Sequence, residues 1–83
     1  MKNPFDEFGV EYSVDKSILL NAHSFTLDSY VIDSRTKEIK AGAFVECRNL
    51  TKLVLPNALE KIGDGAFEFC DMLERLTIPR SVI

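Results

Sequence analysis

The chain has 83 residues, 46% of them hydrophobic, so it forms one domain at most, close to the lower limit for a chain that must bury its own core. Ten basic and 13 acidic residues give a net charge of −3 and are mixed along the sequence, which excludes the basic stripe that nucleic acid demands. The longest apolar runs, such as Ile18-Leu19-Leu20, fall far short of the roughly 18 residues a membrane span requires.

Residues 1–8, Met1-Lys2-Asn3-Pro4-Phe5-Asp6-Glu7-Phe8, carry one base, then acids, and no apolar stretch. They do not read as a signal peptide. The segment is expected to be a flexible N-terminus, with Phe5 and Phe8 able to fold back onto the neighbouring hairpin. On this reading the protein is either cytoplasmic or a piece of a larger exported one. Residues 9–27 come next as a β-hairpin cap. Val10-x-Tyr12-x-Val14 and Ile18-x-Leu20 alternate at strand period around Asp15-Lys16-Ser17. His23 stands alone in this region, and the expectation for it is a solvent-facing loop residue rather than a catalytic one.

From residue 28 onward a period emerges. Ile39, Gly42, Ala43, Phe44, Cys47, Leu50, Leu53, Leu55, Pro56 and Leu59 fall on Ile62, Gly65, Ala66, Phe67, Cys70, Leu73, Leu76, Ile78, Pro79 and Val82 at a constant offset of 23, without a gap. Such self-similarity marks a solenoid. Residues 39–61 and 62–83 are two full repeats, and 28–38 form a degenerate one, with Tyr30 and Ile32 one period before Leu53 and Leu55. Leu53-x-Leu55 has strand period, and Pro56, which has no N–H to donate, ends that strand. Gly42-Ala43-Phe44 would make a tight return, with the phenyl ring filling the interior. The spacing therefore predicts an α/β solenoid. Its coils are expected to stack parallel strands on one face and short helical turns on the other, below the N-terminal hairpin. Lys37 and Glu60, Glu38 and Lys61, and Arg48 and Asp71 lie one period apart with opposite sign, which favours that register.

These residues resemble the BspA-like leucine-rich repeats, whose pattern is close to Ile-Gly-x-x-Ala-Phe-x-x-Cys-x-x-Leu-x-x-Ile-x-Ile-Pro-x-x-Val. Residues 62–82 match it almost throughout, and 39–61 match it with Lys40 in place of the first glycine. The segment from Tyr12 to Ile32 is similar to the hairpin that precedes such repeats, with Lys16 where a glycine is usual. The resemblance covers about three-quarters of the chain. It implies a cell-surface or secreted protein that attaches to other proteins or cells.

Little in the sequence suggests chemistry. Cys47 and Cys70 share a repeat position and should be neighbours. Buried free thiols packed as small hydrophobes are the simpler reading, and a disulfide is the alternative. Two cysteines and one histidine are too few for a zinc site, and the glycines form no phosphate loop, so neither a metal nor a cofactor is expected. No enzyme is expected either. A binding surface remains. On the concave strand face Ser29, Lys52 and Arg75 would form one column, and Val31, Val54 and Thr77 the next, as a candidate site for a protein partner. At the last repeat Phe67, Leu73, Leu76, Thr77 and Ile78 form a candidate self-association edge for a homodimer. The chain then reads as a non-catalytic protein-interaction or adhesion module. The alternative is a small structural or regulatory protein that acts through self-association.

Overall fold

A computed structural model describes residues 5–22, 28–76 and 79. Within them the chain winds as stacked coils with two sheets. Strands β1 (Glu11–Tyr12), β2 (Ile18–Asn21), β4 (Glu38–Ile39) and β6 (Lys61–Ile62) form one, in the order β1-β2-β4-β6. Strands β3 (Ser29–Val31), β5 (Lys52–Val54) and β7 (Arg75–Leu76) form the other, in that order. All pairings are parallel except β1 with β2, which is the antiparallel hairpin.

In the three-stranded sheet the 23-residue offset holds residue by residue. Ser29 lies opposite Lys52, Tyr30 opposite Leu53, Val31 opposite Val54, Lys52 opposite Arg75 and Leu53 opposite Leu76. Alternation sends Tyr30 and Leu53 inward and their neighbours out. The four-stranded sheet is an addition to the expected single strand face. It aligns Leu19, Ile39 and Ile62. Leu19 stands only 20 residues before Ile39, so the first coil is shorter and its strand escapes a search at the repeat period.

The expected helical turns are not what forms at Gly42-Ala43-Phe44 and its copy; no helix occurs among the described residues. Amide groups there alternate in their use. Ala43, Val45 and Cys47 donate to carbonyls three residues back, while Gly42, Phe44 and Glu46 donate across to Asp64, Ala66 and Glu68 of the next coil. Positive φ at Gly42 (69°) and Glu46 (60°), repeated at Gly65 (65°) and Phe69 (62°), produces the alternation. A left-handed residue every fourth position prevents a helix from propagating and turns every second N–H toward the neighbour. The return is thus a third hydrogen-bonded ladder.

Val10, Tyr12, Leu19, Ile32, Ile39, Phe44, Leu50, Leu53 and Leu59 fill the interior. The hairpin's inward residues differ in part from the expected alternation: Val14 is exposed, and Leu19, rather than Ile18 or Leu20, is fully buried. Its turn places Lys16 at φ 67°, the conformation that makes glycine usual there. Thr36 ties this turn to the first coil by donating its hydroxyl to the Lys16 carbonyl at 3.0 Å.

Residues 5–8 fold back toward the hairpin. Phe5 bridges to Glu11, and Asp6 Oδ1 accepts from the amides of Phe8 (2.8 Å) and Val10 (3.0 Å). The Phe8 ring meets Tyr30 edge-on at 6.0 Å. His23, Thr77 and Ile78 lie outside the described residues.

Candidate functional site

Rings line the interior along the stack. Phe44 stacks on Phe67 with centroids 5.6 Å apart and planes 28° from parallel. Tyr30 reaches in from β3 beside this column, 6.4 Å from Phe44. Leu53 and Leu76 hold the same strand position in the later coils.

The extra hydroxyl must be satisfied, and it is. Asp33 N–H donates to the Tyr12 hydroxyl at 3.2 Å, the two tyrosine hydroxyls share a hydrogen bond at 2.6 Å, and Tyr30 donates to Asp6 Oδ2. Burial raises both phenols above their ordinary pKa, Tyr30 far above it, with Asp6 adding to the effect there. Each proton therefore stays in place, and the group is structural. Among the described residues no buried side-chain polar atom is left unpaired.

Cys47 and Cys70 are free thiols. Each donates to a carbonyl of the preceding coil, Cys47 to Ala22 at 3.6 Å and Cys70 to Phe44 at 3.0 Å. Burial pushes the Cys47 thiol up to about 11 and raises Cys70 as well, so both are poor nucleophiles near neutrality. Among the described residues no group of three or more His, Cys, Asp or Glu comes together, and no helix is long and apolar enough to cross a membrane.

The outer face of the three-stranded sheet brings the strand candidates together. Ser29 and Lys52 form one exposed column, continued by the backbone of Arg75; Val31 and Val54 form the next, 68% and 42% exposed. Thr77, which would extend that column, is outside the described residues. Two hollows open on this side. One, of about 270 Å³, is walled by Phe8, Ser29, Tyr30, Val31, Lys52 and Val54. The other, of about 560 Å³, runs from Lys52 and Val54 to Asn57, Glu74, Leu76 and Pro79. Lys52 borders both. Phe8 is the residue that reading the strands alone misses. Its only signal in the sequence is an aromatic residue placed among acids before the first strand.

At the other end Phe67, Leu73 and Leu76 are half-buried, whereas Phe44, Leu50 and Leu53 one coil earlier are buried. Arg48 pairs with Asp71 across this interval and sits 5.8 Å from the Phe69 ring.

The pattern of the BspA type leucine rich repeat region (6 copies) matches residues 16–83. The chain belongs to this family. Its stacked coils also match the crystal structure of the pneumococcal vaccine antigen PcpA with a TM-score of 0.83 and 36% identity. The match covers 89% of this chain and 18% of that one, so the chain spans less than a fifth of the protein it resembles. No curated protein matches. Within the BspA-type repeat, the isoleucine of the four-stranded sheet, the phenylalanine of the ladder return and the leucine of the three-stranded sheet supply the three inward sides of each coil.

Proposed function

We propose that this chain is a non-catalytic protein-interaction module of adhesion type, and that the outer face of its three-stranded sheet receives the partner. One observation carries the reading: Val31 and Val54 stand side by side, exposed, on a rigid parallel ladder next to Lys52. The repeat register requires only alternation there, and polar residues would satisfy it at less cost in exposed apolar surface. Arg75 and Thr77 extend the same two columns in the repeat. Placement at the cell surface is supported by the likeness to a vaccine antigen.

The test is site-specific photo-crosslinking from position 54, with position 40 on another face as the control, followed by binding of the captured protein in purified form. Substituting Val31→Asp together with Val54→Asp should weaken that binding at least about tenfold while circular dichroism stays unchanged. Equal capture from positions 40 and 54 would sink the reading.

A second reading is self-association through the apolar, half-buried Phe67, Leu73 and Leu76. Thr77 and Ile78 belong to the same edge by sequence. Sedimentation as a dimer that Leu73→Asp converts to monomer supports it. A monomer at ~100 μM, where contacts of even modest affinity populate a dimer, removes it.

A further inference from the structure

The two sheets end differently on the hairpin side of the stack. In the four-stranded sheet β1 pairs antiparallel with β2 and covers its outer edge. In the three-stranded sheet β3 is the edge strand, bonded among the described residues to β5 alone. The Asp28 carbonyl accepts from Thr51 and Lys52, and Ile32 N–H donates to the Val54 carbonyl. Peptide groups along a strand alternate in direction, so those of Ser29 and Val31 point away from β5. Among the described residues nothing bonds to them. Natural sheets blunt such edges with charge, proline or a bulge. The sequence Ser29-Tyr30-Val31 carries none of these and favours strand.

Beside this edge lies the smaller hollow. Phe8 forms its far wall, fixed by Asp6 on one side and the Tyr30 ring on the other. At about 270 Å³ the hollow is below the roughly 300–1,000 Å³ typical of small-molecule sites, and it suits a single apolar side chain. Among the described residues Lys52 is the one charged member of its lining, in a chain of net charge −3.

We propose that the free edge of β3 and the Phe8–Val31–Val54 hollow together receive an extended acidic peptide as an added strand. One apolar side chain of the peptide fills the hollow, and a carboxylate two residues away, on the same face, meets Lys52. This inference rests on the reading of the sheet face as a protein-binding surface. It adds the form of the ligand: a strand segment in which an apolar residue and an acid alternate with residues facing the other way.

The test uses the full chain, labelled with ¹⁵N. It is titrated with a capped peptide of threonines bearing a central leucine and a glutamate two positions to either side. The expected result is saturable shifts of the Ser29, Val31, Lys52 and Val54 amides and slowed exchange at Ser29 and Val31. Peptides with lysine in place of glutamate should bind at least about tenfold more weakly, and Lys52→Glu should reverse that preference. Phe8→Ala should weaken binding while leaving the order of the peptides intact. A peptide N-methylated on alternate amides should not bind. Equal binding by the N-methylated peptide would overturn the added strand, and so would β3 shifts that track the concentration of the chain alone, which would place a second copy there. Failure of every peptide, while Val31→Asp with Val54→Asp still weakens binding of the captured protein, would sink this inference and leave the sheet-face reading standing. Peptide binding at β3 with unselective crosslinking would sink the sheet-face reading alone.

Discussion

The two ends of this molecule reach one geometry by different means. From Ile39 onward each inward position repeats its residue type at the next coil, so Phe44 meets Phe67 and Leu53 meets Leu76. Before Ile39 the period survives only in β3, yet the core continues through Val10, Tyr12, Leu19 and Tyr30. There Tyr30 stands where the later coils carry leucine, and its hydroxyl is absorbed by a Tyr12–Tyr30–Asp6 chain. Repetition gives register without effort, because identical residues in identical coils stack in one arrangement. In the hairpin, which does not share the repeat, specific polar contacts take the place of periodicity.

The sharpest way to break the comparison is inside the regular half. Phe44→Ala removes a fully buried ring lying between Tyr30 and Phe67, at a cost of about 3–5 kcal/mol. A domain of this size has little more stability than that to lose, so urea titration should show no cooperative native baseline. Phe67→Ala, at a half-buried copy of the same position, should cost clearly less. Equal losses would mean that the last coil packs as tightly as the one before it.

Next comes the backbone. A Cβ on Gly63 would lie 2.3 Å from the amide nitrogen of Ala41, one coil back, with no flexible side chain to give way. Gly63→Ala should therefore separate the coils locally and cost about 2–3 kcal/mol, read as a lower urea midpoint. Gly42→Ala meets nothing within 4 Å and suffers only from its φ of +69°, about 1 kcal/mol. The order of the two distinguishes steric contact between coils from strain within one.

In the hairpin end, Tyr30→Phe removes the hydroxyl that joins Tyr12 to Asp6 and should cost about 1–2 kcal/mol. Faster amide exchange should be confined to residues 6–12, because the ring stays in place. The same group sets an alkaline limit. Tyr12, Tyr30 and Cys47 all have folded pKa values raised by burial, so each is neutral when folded. Their stabilising contribution is complete below the unfolded values, 9.0 for the thiol and 10.0 for the phenols, and is lost as pH rises through the folded ones, about 11 for Cys47. Melting temperature should fall from pH 9 upward, and less steeply in Tyr30→Phe. A flat profile would show that these groups are open to water.

How much of this was legible in the sequence divides along the same line. The 23-residue period gave the parallel register of Tyr30, Leu53 and Leu76 and the stacking of Phe44 on Phe67, because both depend on equivalent residues meeting. It also gave the two columns of the candidate face as neighbours. The ladder return was not legible. Gly42 signals a left-handed residue, but Glu46 and Phe69 adopt the same conformation with no such mark, and those residues decide against a helix. The four-stranded sheet was hidden by the three-residue shortening of the first coil. Phe8 and Asp6 could not be placed on the site by pattern at all, since their contacts with Tyr30 span more than 20 residues and occur once.

Lys16 is the smallest test and bears on why a coil end can depart from the family pattern. Its φ of 67° costs a side chain about 1–2 kcal/mol relative to glycine. Two terms oppose this. The ammonium sits 5.1 Å from the Tyr12 ring centroid, a contact worth about 0.5–1 kcal/mol at an exposed site. Glycine would also raise the entropy of the unfolded chain by a further 0.5–1 kcal/mol or so. Asp15 is unaffected by the change, because its carboxylate is held at about 2 by the Ser17 hydroxyl and amide and the Ser13 hydroxyl rather than by residue 16. Lys16→Gly should therefore shift stability by no more than about 0.5 kcal/mol in either direction. Lys16→Val, which keeps the strain, adds branching at Cβ and loses the ring contact, should destabilise by about 2 kcal/mol. If the glycine variant instead gains as much as the valine variant loses, the Tyr12 contact contributes nothing and the lysine is simply tolerated strain.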